Sequence, residues 1–310
     1  MNPGAMQWFT DALRGCQLCP RRCGVDREAG QTGFCGAGAS AEIYRYGPHH
    51  GEEPPLSGDH GSGTVFFSRC TLHCVYCQNY PWSQEAQGEA YTVEQLAGIF
   101  TDLASQGCHN VNLVSPTPWL PPIVAAAESA GRRGALPPMV YNTSGFERIE
   151  VIDRLAGFVD IYLTDLRYSR EASAREGSGR GDLAETEREA LRAMWAQTGP
   201  LRTDAQGIAR RGTICRMLVL PGRAGEAVDN LRWIAEELGV EVPVSVMSQY
   251  HPAFKARTMP GWNRGLFLEE FDDVRREVER LGFENGWVQD LTLDCSEELL
   301  GFKMRAGRGE

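Results

Sequence analysis

Short apolar runs alternate along most of the chain with segments whose apolar residues recur every three to four positions. Between Thr92 and Gln106, for example, Leu96, Ile99, Phe100, Leu103 and Ala104 share one helical face. Thr92 and Gln95 have the spacing of a capping box there, and Gly107 follows as a stop. An apolar run, Thr64–Phe67, precedes this helix. The same unit then recurs. Strands are predicted at 110–114, 139–141, 158–163, 213–220 and 242–247, and helices at 121–133, 146–156, 182–197, 226–238 and 269–281.

Six strand–helix units in strict alternation argue for a parallel sheet covered by helices. Eight units would close a barrel, so the expected fold class is α/β, an open, partial (β/α)6 barrel. Residues 1–63 show little periodicity and are rich in Cys, Gly, Pro and His. The chain therefore divides into a Cys-rich N-terminal extension and loop (1–63), a core (64–290) and a C-terminal tail (291–310).

Composition adds limits rather than detail. Hydrophobic residues make up 42% and charged residues 23%, enough to bury a sizeable core. Net charge is −10, with a pI near 5.2, and no basic stripe is present; no nucleic-acid partner is expected. The uncharged run 110–127 is broken by prolines and too polar to span a bilayer, and the first residues lack the basic start of a signal peptide. A cytoplasmic protein without membrane contact is expected.

In such a compartment ten cysteines need a reason other than disulfides. Cys108, Cys215 and Cys295 are isolated and read as buried thiols. The other seven form two groups. Cys70, Cys74 and Cys77, spaced C-x3-C-x2-C, follow the first core strand directly. Three thiolates can hold three irons of a [4Fe–4S] cube and leave the fourth iron open. A zinc knuckle completed by His73 or a distant His is the alternative. Cys16, Cys19, Cys23 and Cys35 supply four thiolates within a short aperiodic stretch, a closed site for zinc or for a second iron–sulfur cluster. Between the groups, His49, His50, Glu52 and Glu53 lie in a polar loop. They either line a site or form a solvated connector.

The triad, with Tyr76 before its last Cys, resembles the signature of radical S-adenosylmethionine (SAM) enzymes. The strings GEEPPLSGDHGSGTVFFSRC, CVYCQNY, NVNLVSPTPW, VYNTSGFE, VDIYLTDLRY, LVLPG and MSQYHPAF extend the resemblance to PflX-like proteins, related to pyruvate formate-lyase activating enzyme. The resemblance implies a partial barrel of the radical SAM type. It also implies an oxidoreductase that cleaves SAM reductively at a [4Fe–4S] cluster to a 5′-deoxyadenosyl radical, which abstracts hydrogen from a substrate. The substrate could be a glycyl residue of a partner enzyme, a peptide or a small molecule; an electron donor of flavodoxin or ferredoxin type would be a partner. A non-enzymatic iron–sulfur or zinc protein is the rival reading.

By position, the resemblance carries SAM contacts over to Tyr76, Ser115, Thr117, Asn142, Ser144, Asp165, Arg216 and His251. Ser115 and Thr117 stand where the superfamily has a Gly-Gly-Glu-like turn. Asp165 matches the Asp of an Asp-x-Lys motif whose Lys is here Arg167.

Overall fold

The computed structural model describes residues 3–291; Cys295 and the tail from residue 292 lie outside the described residues. The six expected parallel strands are β2 (Ser62–Phe67), β4 (Val111–Val114), β5 (Met139–Thr143), β6 (Ile161–Asp165), β8 (Ala209–Leu218) and β9 (Val244–Met247). They pair in that order, and β10 (Gly286–Val288) adds a further parallel strand beside β9. The sheet runs on past β2 into β1 (Ala41–His49) and β3 (Glu89–Tyr91), both antiparallel. With β3 and β10 at its two edges, it is open, as a partial barrel requires.

The helices fall where the periodicity places them, with shifted ends: α4 (Val93–Ser105), α5 (Leu120–Gly131), α6 (Ile149–Arg154), α8 (Leu183–Thr198), α9 (Ala224–Glu237) and α10 (Leu268–Leu281). The capping box of α4 forms, Thr92 and Gln95 exchanging both bonds. Period-two alternation then sorts the strand residues. Val111, Leu113, Tyr141 and Tyr162 meet the helices. Val140, Ile161, Leu163 and Ile214 pack with Leu56 of α2 (Pro54–Ser57), forming an apolar floor on the other face.

The first 63 residues depart from expectation. They hold α1 (Pro3–Asp11) and β1, and β1 joins the core sheet across the proposed boundary at 64. Gly47 and Pro48 interrupt the alternation of β1 in the sequence, yet both fit an edge pairing with Thr64 and Gly63. The polar stretch between the expected strand 158–163 and helix 182–197 also forms α7 (Glu171–Ser178). Cys108 and Cys215 are buried, as expected.

Candidate active site

A helical cover and an apolar floor leave the carboxyl ends of the parallel strands as the functional face. β2 ends at Phe67, and the chain turns through Arg69, which has positive φ, into the loop carrying Cys70, Cys74 and Cys77. Four distant segments clamp that loop. Val75 N–H donates to Gly177 O (2.8 Å), and Ala256 N–H to Val75 O (2.9 Å). Gln78 Nε2 donates to Gln249 O (2.9 Å), and Arg21 Nε to Thr71 O (2.7 Å). Tyr76 is a buried anchor: its hydroxyl meets Tyr168 Oη at 2.8 Å and its ring stacks on Trp262.

Each thiol of the triad faces a hydrogen-bond donor. Leu72 N–H points at Cys70 Sγ (3.4 Å), Ser178 Oγ lies 3.0 Å from Cys74 Sγ, and Ser83 Oγ lies 3.2 Å from Cys77 Sγ. Arg167 Nη1 adds a charged donor 3.6 Å from Cys74 Sγ. Burial pushes the Cys70 thiol up to about 12 and Cys77 up to about 11, and the neighbouring thiols push further. A metal that binds here must therefore displace protons, and the donors would then stabilise thiolate sulfur. Three thiols with aligned donors and a buried guanidinium fit an iron–sulfur cluster.

Arg167 is the hub of this wall. Its Nη2 donates to Glu187 Oε1 (3.1 Å) and to Ser144 O (3.0 Å), and its backbone N–H to Glu187 Oε2 (3.0 Å). Glu187 is fully buried; burial raises it to about 7 although Arg167 pulls it back.

The sheet face inside the barrel turns polar above the floor. Asp165 pairs in register with Arg216. Arg216 is clamped by two carboxylates: Nε donates to Glu53 Oε1 (2.8 Å), and Nη2 reaches Glu53 Oε2 (2.6 Å) and Glu52. Burial opposes ionisation of Glu53, but Arg216 overcomes it and holds the carboxyl below its usual range. Asn112 Nδ2 donates to Glu52 Oε1 (2.9 Å). Glu52 and Glu53 are thus buried structural partners of Arg216, not a solvated connector. Asp165 is raised by burial and by Glu53 and Glu52, against the pull of Arg167 and Arg216.

The remaining sequence candidates divide. Ser115 follows β4 with φ of 56° and donates its N–H to Asn142 O (2.9 Å), so Ser115 and Asn142 lie side by side at the strand ends. His251 is half-buried on the loop after β9. Thr117 turns away: its hydroxyl donates to Glu147 Oε1 (2.5 Å), as does that of Thr143 (2.5 Å). Glu147 is buried, its Oε2 has no hydrogen-bond partner among the described residues, and burial raises it to about 7 against those hydroxyls. Sequence reasoning missed Ser83, Ser178, Glu187 and Glu147. Ser178 and Glu187 lie about a hundred residues from the triad, and nothing in the sequence around them points back to it.

Comparison with known proteins finds a family model that covers this site. Residues 64–194 match the radical SAM superfamily, a span that opens on β2 and contains the whole triad. An uncharacterized protein of Methanocaldococcus jannaschii is 28% identical over 282 residues, covering 88% of this chain and 76% of that one. Among solved structures, HydG, a maturase of the [FeFe]-hydrogenase, aligns at 14% identity over 71% of this chain with a TM-score of 0.47, and methylornithine synthase PylB at 15% identity over 70% with the same score. The chain spans 48% and 61% of their respective lengths. From β2 into α8, then, this chain is similar to the radical SAM superfamily, and the triad loop lies inside the matched span.

Proposed function

We propose that the protein is a radical SAM enzyme in which Cys70, Cys74 and Cys77 hold a [4Fe–4S] cluster with one iron left to SAM. When bound, such a cluster supplies the electron that splits SAM into methionine and a 5′-deoxyadenosyl radical, which takes a hydrogen atom from the substrate. The observation that carries the reading is the donor set: three thiols on the loop after β2, each with its own hydrogen-bond donor.

The chain's residues divide the remaining work. Ser83, Ser178 and the Leu72 N–H hold the sulfurs, and Arg167 offsets their charge. Ser115, Asn142, Ser144 and Asp165 border the space above the sheet where SAM would sit. Arg216, held by Glu52 and Glu53, pairs with Asp165 on the same face. Thr117, spent on Glu147, is left out of the SAM contacts.

A glycyl residue of a partner protein is our first substrate class, with a peptide or small molecule as the next. The electron donor would be of flavodoxin or ferredoxin type. The nine described cysteines are all free, which supports a reducing compartment such as the cytoplasm. No described helix is long and apolar enough to cross a membrane. The test is anaerobic reconstitution with iron and sulfide, followed by dithionite and SAM. We expect 5′-deoxyadenosine from wild type and none from Cys74→Ala; wild-type release by that variant refutes the assignment.

A further inference from the structure

The four cysteines near the start of the chain come together although the segment holding them has no regular element. Cys16, Cys19, Cys23 and Cys35 line a single small cavity. Backbone bonds close the loop around it: Cys16 N–H to Val25 O (3.0 Å), Gly24 N–H to Cys16 O (2.8 Å) and Arg22 N–H to Cys19 O (3.0 Å). Gly33 closes the opposite wall, where a Cβ would lie 2.7 Å from Cys23 Sγ, so no larger residue fits beside that thiol.

Two cations face this cavity. Arg27 is 3% exposed and donates to Gly38 O (2.8 Å) and Pro118 O (2.7 Å), with its Nη1 4.0 Å from Cys16 Sγ. Arg21 also lines the cavity and spans to the catalytic loop through Thr71 O (2.7 Å). Neither pairs with an acid among the described residues. A buried guanidinium without a counter-charge is destabilising, and neutral thiols offset nothing. The charge balances only if something displaces the thiol protons.

We infer that Cys16, Cys19, Cys23 and Cys35 ligate a second iron–sulfur cluster of the [4Fe–4S] type. Four S–H bonds give way to four Fe–S bonds and release four protons, and the resulting anionic centre is the counter-charge for Arg27 and Arg21. The four thiols form the walls of one cavity, which the cluster would fill. Four protein ligands leave no iron open, so this centre should not bind SAM. The inference goes beyond the proposed function and stands whether or not the triad performs SAM chemistry.

The experiment uses the full chain with Cys70, Cys74 and Cys77 all changed to Ala, reconstituted anaerobically. We expect about four irons and four sulfides per chain, and a dithionite-reduced electron paramagnetic resonance signal that SAM does not change. Absence of iron, one zinc in its place after purification from unsupplemented cells, or a signal that SAM perturbs would each overturn the inference. Cys23 is exposed, so adding Cys23→Ser tests the ligand set without disturbing packing. Iron should fall or the signal shift while the far-ultraviolet circular dichroism stays unchanged; an unaltered iron content and signal removes Cys23 from the site and the inference with it.

Discussion

Glu147 offers a measurement of how the strand ends are wired, because Glu147→Gln removes a charge while keeping the acceptor that Thr117 and Thr143 use. In the fold its pKa is raised to about 7, against 4.5 for an ordinary glutamate. The folded state thus binds the proton more tightly than the unfolded state. Glu147 costs stability progressively as pH climbs from 4.5 to 7, and the cost levels off above the folded value. At 1.36 kcal/mol per pKa unit, the full cost is about 3 kcal/mol at pH 8 and roughly half that at pH 5.5. Glutamine has no such dependence. Relative to wild type, Glu147→Gln should therefore gain about 2 kcal/mol between pH 5.5 and pH 8, every other titration cancelling in the difference. Urea unfolding of the reconstituted protein at four pH values gives the two curves. A difference that stays constant to within about 0.5 kcal/mol would refute the argument, since Glu147 would then hold one protonation state throughout.

Two further outcomes follow from the clamps on the Cys70 loop. Arg167→Met should cost about 3–5 kcal/mol by stranding fully buried Glu187, and Arg167→Met with Glu187→Met should recover most of it; a double variant no more stable than the single one argues against the pair. Gly177→Ala would set a Cβ 2.3 Å from Tyr168 Oη and 2.6 Å from the Trp262 ring, beside the carbonyl that holds Val75, so iron at the triad should fall and SAM cleavage drop roughly tenfold or more. Wild-type iron content and cleavage in that variant would show that the loop does not depend on α7.

The sequence made the core legible because its helices bury one stripe and its strands come in order. Leu96, Phe100 and Leu103, or Phe271, Val274 and Val278, announce their elements by spacing alone. Edge elements were not legible. β3 and β10 are three residues each, too short for a period, and β1 hides its pairing behind Gly47 and Pro48. The triad was legible because its three cysteines are close together in sequence. Its environment was not, because Ser178 and Arg167 reach Cys74 across 104 and 93 residues, and contacts of that range leave no local pattern. Glu52 and Glu53 were seen but not understood, since only the fold shows that Arg216 receives them.

The clamps on the triad loop also order events in time. Thr71 takes its bond from Arg21, which is made before the loop, but Gln78 waits for Gln249, 171 residues later. A ribosome adding roughly 5–20 residues per second needs on the order of ten to thirty seconds to cover that gap. Throughout it the three thiols hang on an emerging chain with at first one and later two of their four clamps, open to oxidants and to adventitious metal. The Cys16–Cys35 segment emerges earlier and carries all four of its thiols within one loop, so it can be loaded while the rest of the barrel is still being made. If both cysteine groups bind the clusters inferred above, they would then be filled in the order in which the chain is written.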